Sequence, residues 1–173
     1  MNDILALTLA EYLAGARLCL EFKKDQNWPA FGRLGFPAAL LLFSVVDAIG
    51  SYLHGSSEQF MVEGKLKAIK QKGFQHFFVL NGADYWKRDL SHAEIKHVYD
   101  NYRSLLAHHA VFTSQGFLSM SASDELFPRQ DGKIGVNLTA FYNLSTAAVP
   151  RFLSNHPELD LSSAAQHILR SGG

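Results

Sequence analysis

The sequence predicts an all-α protein, an up-and-down helical bundle with short extra helices and a small β-hairpin near 117–136. Three observations predict it. Apolar residues recur at helical spacing through most long segments. The segment from Ala38 to His54 is apolar almost all round, as a helix at the centre of a bundle is. Ser91-His92-Ala93-Glu94 is a capping box, in which a Ser and a Glu three residues later satisfy each other's backbone amides and start a helix. The chain has 173 residues, enough for one domain (1–173) with a sizeable core. With 47% hydrophobic and 18% charged residues it buries enough apolar surface to fold.

Asn2 or Asp3 caps a first helix running to about Lys24, with Leu5, Leu9, Tyr12, Ala16 and Leu20 on one face. Asn27-Trp28-Pro29 with Gly32 and Gly35 marks a loop. Pro37 suits the first turn of a second helix, Ala38 to His54, closed by Gly55. Ser56 or Ser57 opens a third helical stretch carrying Glu58, Phe60 and Met61, split by Gly64 and Gly73 into two short helices. Lys65, Lys67, Lys70 and Lys72 then form a solvated basic helix face, or a patch that steers a phosphate backbone. Phe74, Phe77, Phe78 and Leu80 read as core, with an interface patch as the alternative. The capping box starts a fourth helix, extended to about Phe112 and ended by Gln115-Gly116. Asp131-Gly132 is a turn signal, predicting a hairpin between Phe117–Met120 and Lys133–Val136. Asn137 caps a helix to about Ser154 that Pro150 should bend or shorten, and Asp160 or Leu161 opens a short last one.

Composition excludes some classes. A formal net charge of +0 argues against a broad basic nucleic-acid surface, though not against a cleft with a few local cations, and it leaves self-association unopposed. A single cysteine, Cys19, forbids an intrachain disulfide and reads as a small apolar residue. That and an acidic, non-basic Met1-Asn2-Asp3 suggest a cytoplasmic protein. Phe36 to Leu53 is the one membrane suspect, but it is short and carries Asp47, so a core helix and no membrane are expected. Glu94-Ile95-Lys96-His97 has the Glu-x-x-His spacing of di-metal bundles, which need a second copy that the chain lacks. No Gly-rich phosphate loop, Gly-x-Ser-x-Gly elbow or His-Glu-x-x-His is present, and no metal or cofactor is expected.

The chemistry-bearing stretch is Tyr102-Arg103-Ser104-Leu105-Leu106-Ala107-His108-His109. Arg offers a forked donor that matches a phosphate, and His moves a proton near neutral pH. Metal-free RNA cleavage needs both. At 100° per residue, Ile95, Val98, Tyr99, Tyr102, Leu105, Leu106 and His109 form a core stripe. Ala93, His97, Asp100, Ser104, Ala107, His108 and Val111 form a second face, small enough for another backbone to approach or else simply solvated. Arg103 and His108 lie about 140° apart on an ideal helix, so they meet by Arg103 reaching across or through a two-fold contact with a second copy. The ordinary use of Arg103 is an ion pair with Asp100. Asp47, in an apolar run, needs a partner, which is Arg103, His108, a backbone donor or water.

The Arg-x4-His spacing resembles the motif of the HEPN superfamily, and an apolar, acid-bearing helix upstream is similar to that family's arrangement. The resemblance implies a helical-bundle, metal-independent endoribonuclease that works as a homodimer through the 91–112 helix. It implies Arg103 and His108 as catalytic residues, with Asp47, Asn101, Ser104 and His109 in support. It implies RNA or a nucleotide as ligand, and an antitoxin or regulator protein as a further partner. Ser104 stands where many active members carry Asn, and Ala110 where the toxin subgroup carries Tyr. A non-catalytic module binding RNA or nucleotide, or a structural bundle docking a protein partner, are the alternatives.

Overall fold

Two long helices, α1 (Asn2–Glu21) and α2 (Gly35–Leu53), pack as an antiparallel pair in the computed structural model, which describes residues 2–27, 32–53, 59–62, 65–68, 79–80, 82, 85, 91–104 and 116–159. Their approach is close because α1 presents small residues. Ala6, Leu9, Ala10, Leu13 and Ala16 are buried, and a Cβ on Gly15 would sit 3.1 Å from Leu41. The buried stripe is thus shifted by one residue from the face predicted. Leu9 and Ala16 are in it, whereas Leu5, Tyr12 and Leu20 are only partly buried at its margins. Closeness of backbones, not size of side chains, selected the face. The pair is tied at its connected end by Leu34 N–H on Cys19 O (3.2 Å) and Lys24 N–H on Gly32 O (3.0 Å). Burial pushes the Cys19 thiol up from its ordinary pKa.

α2 begins at Gly35, three residues before the predicted start, with Pro37 in its first turn. It is long and apolar enough to span a membrane, yet nine of its residues, from Ala38 to Leu53, are buried in the bundle. A third long helix covers Leu138–Asn155. Phe43 meets Phe141 edge-on at 5.1 Å and Tyr52 meets Phe152 at 5.6 Å, so this helix runs parallel to α2. It also packs on α1. Asn137 caps it, as its sequence position suggested, and is fully buried. The helix continues through Pro150 rather than stopping there. Pro150 is exposed, and the Arg151 side chain donates to the Ala147 carbonyl (3.1 Å) beside it.

Between α2 and that helix lie the departures from an all-helical reading. Gln59–Val62 (β1) and Lys65–Ala68 (β2) form an antiparallel hairpin, with Val62 opposite Lys65. This corrects the helical stretch expected from Ser56 or Ser57, and places Lys65 and Lys67 on a strand rather than a helix face. Alternation in Lys-Leu-Lys-Ala, with Glu63-Gly64 between it and the β-favouring Gln-Phe-Met-Val, is the signal that was available. Leu118–Ser119 (β3), Arg129–Gln130 (β4), Lys133–Ile134 (β5) and Val136–Asn137 (β6) make two further small pairings. Asp131-Gly132 does turn a hairpin, with φ of 50° and 73° at the two turn residues, the left-handed pair of a type I′ turn. Its strands, however, are β4 and β5. The Phe117–Met120 segment instead places β3 parallel to β6. Of the aromatic patch, Leu80 is helical and buried, as is its neighbour Val79. Phe74, Phe77, Phe78 and the helix expected from Asp160 lie outside the described residues.

Candidate functional site

The helix bearing the Arg-x4-His motif starts as expected. His92–Val98 (α3) is opened by Ser91, whose hydroxyl accepts from Glu94 N–H (3.2 Å) while the Glu94 carboxylate accepts from Ser91 N–H (3.0 Å). Glu94 also receives the Ser91 hydroxyl (2.7 Å) and pairs with Arg129 of β4. Those bonds, the Ser91 hydroxyl first, hold its carboxyl below the usual carboxylate pKa. Glu94 is thereby committed to structure rather than to a Glu-x-x-His metal set.

At Tyr99 the helix widens. Tyr99–Ser104 is a π-helical turn, a form that is rare and concentrated at functional positions. The count of 100° per residue therefore ends at Val98. The core stripe runs up to this turn with Ile95 and Val98 and into it with Tyr99 and Tyr102, all buried.

Each tyrosine of the π turn ties it to a different neighbour. Tyr99 donates its hydroxyl to Asp47 Oδ1 of α2 (2.7 Å), and its ring meets Phe43 edge-on at 5.3 Å. It gives the half-buried acid a hydrogen-bond donor. Tyr102, fully buried, reaches the other way. Its oxygen accepts from Phe117 N–H (2.8 Å) and lies within donating distance of the carbonyls of Ile134 (2.5 Å) and Phe117 (3.2 Å). Burial raises the Tyr102 phenol above its ordinary pKa. Gly116 is a glycine because any Cβ there would collide with this hydroxyl. Both tyrosines read as plain core from spacing alone. The missed signal was chemical, since a buried tyrosine oxygen has to find a partner.

Asn101 is half-buried. Its amide donates to His97 O (2.8 Å) and lies 3.2 Å from His97 Nδ1, which accepts if the imidazole proton sits on Nε2. Asp100, the ordinary ion-pair partner expected for Arg103, pairs with Lys96 one turn earlier. Arg103 and Ser104 belong to the π turn by their backbone, and their side chains lie outside the described residues, as do His108 and His109 entirely. The structure thus brings Asp47 against the motif helix one turn ahead of Arg103. Among the described residues no group of three His, Cys, Asp or Glu side chains gathers as a metal site. Compared with family models, curated proteins and solved structures, the chain matches none.

Proposed function

We propose that this protein is a metal-independent endoribonuclease of HEPN type, working in the cytoplasm as a homodimer through its motif helix. The observation that supports it is the Tyr99–Asp47 hydrogen bond, which fastens the acid of α2 to the π turn that carries Arg103. A carboxylate has two oxygens and about four acceptor sites, so an Asp47 that accepts from Tyr99 can also orient Arg103 or His108.

In this reading Arg103 grips the scissile phosphate and stabilises the charge that builds on it. His108 acts as general base on the 2′-OH, or as general acid on the leaving 5′-oxygen. The 2′-oxygen attacks phosphorus, the bond to the 5′-oxygen breaks, and a 2′,3′-cyclic phosphate and a 5′-OH result. The 2′-OH proton goes to the base and the leaving oxygen takes one from the acid. A second copy supplies a second Arg103 and His108, giving a neutral chain a locally cationic cleft. Ser104 and His109 assist at its edge, and Asn101 steadies the turn. A protein antitoxin or regulator covers the cleft when activity must be held off.

The test is incubation with labelled total and transfer RNA in EDTA, beside Arg103→Ala and His108→Ala. Cleavage is expected from the wild type, with cyclic-phosphate ends, and from neither variant. DNA lacks the 2′-OH and is expected to stay intact. Cut DNA, or full activity in Arg103→Ala, sinks the mechanism. Tight RNA binding with no products in any salt would favour the non-catalytic binding module.

A further inference from the structure

A concave feature lies where the chain enters α2, away from the Asp47–Tyr99 contact. It is a cavity of about 490 Å³, within the range that holds a small organic ligand. Its walls are mostly apolar and include Phe36, Phe117 and Met120. Phe36 and Met120 remain 48% and 45% exposed, which is unusual for large apolar side chains beside a well-packed core and marks them as an uncovered rim.

The charged residues on its lining are of one sign. Lys24 and Arg33 contribute to it, and no Asp or Glu does among the described residues. Backbone bonds tie down the chain on either side of the loop that carries both, through Lys24 N–H on Gly32 O and Leu34 N–H on Cys19 O. Arg33 also donates through Nη1 to the Glu21 carbonyl, which holds its guanidinium at the end of α1. The start of α2 adds to the positive potential. Leu34 precedes it with no side-chain acceptor, and its first turn carries no acid.

A further polar group is present on the wall. Ser119 Oγ is shielded from solvent and has no hydrogen-bond partner among the described residues. Apolar walls, two cations and no acid together describe the recognition of a molecule with a negative head and an apolar body.

We infer that the cavity at the start of α2 binds a small amphipathic carboxylate, an acyl or aryl acid, with Arg33 and Lys24 on the head and Phe36, Phe117 and Met120 on the body. This site stands independently of the RNase reading.

The experiment is calorimetric titration of the full chain with decanoate below its micellar concentration, beside decanol and decyltrimethylammonium, which share the tail and change the head. Saturable binding of one decanoate per chain is expected, at least roughly tenfold tighter than decanol, with decyltrimethylammonium unbound. Met120→Glu places a negative charge on the exposed rim without touching the core, and is expected to weaken decanoate by about tenfold or more while leaving the melting temperature unchanged. Arg33→Gln is expected to weaken it similarly. Because Arg33 also caps α1, the Met120 variant carries the test if the Arg33 variant melts early. Absence of decanoate binding, equal affinity for the three heads, or undiminished affinity in folded Met120→Glu would overturn the inference.

Discussion

The two sides of the motif helix are held by different physics. Toward α2, the contact is aromatic and mostly dry, with Phe43 between the rings of Tyr99 and Phe141 and one hydrogen bond to Asp47. Toward the 116–137 segment, one phenol oxygen serves two strands' worth of backbone, at Phe117 and Ile134, and Gly116 makes room for it. The first side tolerates changes that keep volume, because dispersion and burial are non-directional. The second depends on a single oxygen in one position, because short strands with few ladder bonds have little else to fix them. A π turn carrying Tyr99 and Tyr102 serves both sides at once.

The largest effect expected is on the dry side. Phe43→Ala empties a fully buried position and should cost about 3–5 kcal/mol in denaturant unfolding. A loss under about 1 kcal/mol would mean that this side does not carry the helix.

Tyr102→Phe keeps the ring and removes only the oxygen. Leaving Phe117 N–H and Ile134 C=O without it should cost about 2 kcal/mol. The pH dependence has a definite sign. The folded phenol's pKa lies above its unfolded value, so its contribution is complete below about pH 10 and is lost as pH rises through the folded pKa. Wild-type stability should fall across that alkaline window, and Tyr102→Phe should fall less. Equal alkaline loss in both would move the titration to another tyrosine, such as Tyr142, which burial also raises.

Ser91→Ala removes the capping hydroxyl and should cost about 1 kcal/mol near neutral pH. Glu94 has a lowered folded pKa, so the stability it adds is present above its unfolded value near 4.3 and is lost as pH falls through the folded pKa. The gap between wild type and variant should therefore narrow in acid. A constant gap would assign the effect to the hydroxyl alone. Lys96→Ala, at an exposed ion pair with Asp100, should change stability by less than about 0.5 kcal/mol, and a larger change would show that the π turn depends on its outer face as well.

Much of the bundle was legible from residue order. The Ser91–Glu94 box, the Asn137 cap, the apolar run of α2 and the Asp131-Gly132 turn are local signals, because each is satisfied by bonds within a few residues. The hairpin at Gln59–Ala68 was misread because four-residue strands are too short for periodicity to separate from helix. The strand partners of Asp131-Gly132 were half wrong because a turn fixes its neighbours but not what a more distant segment pairs with.

For the site, sequence by itself singled out an arginine, a histidine and an acid in an apolar helix, since residue chemistry and spacing need no fold to be seen. It also determined the helical class, through composition and apolar repeats. Only the tertiary structure gave Asp47 to Tyr99, gave Asp100 to Lys96, widened the helix into a π turn and gathered Lys24, Arg33, Ser119 and Met120 around one hollow. Those outcomes depend on which distant groups arrive within hydrogen-bond reach, about 3 Å, once the helices pack, and no local pattern encodes a distance across the chain.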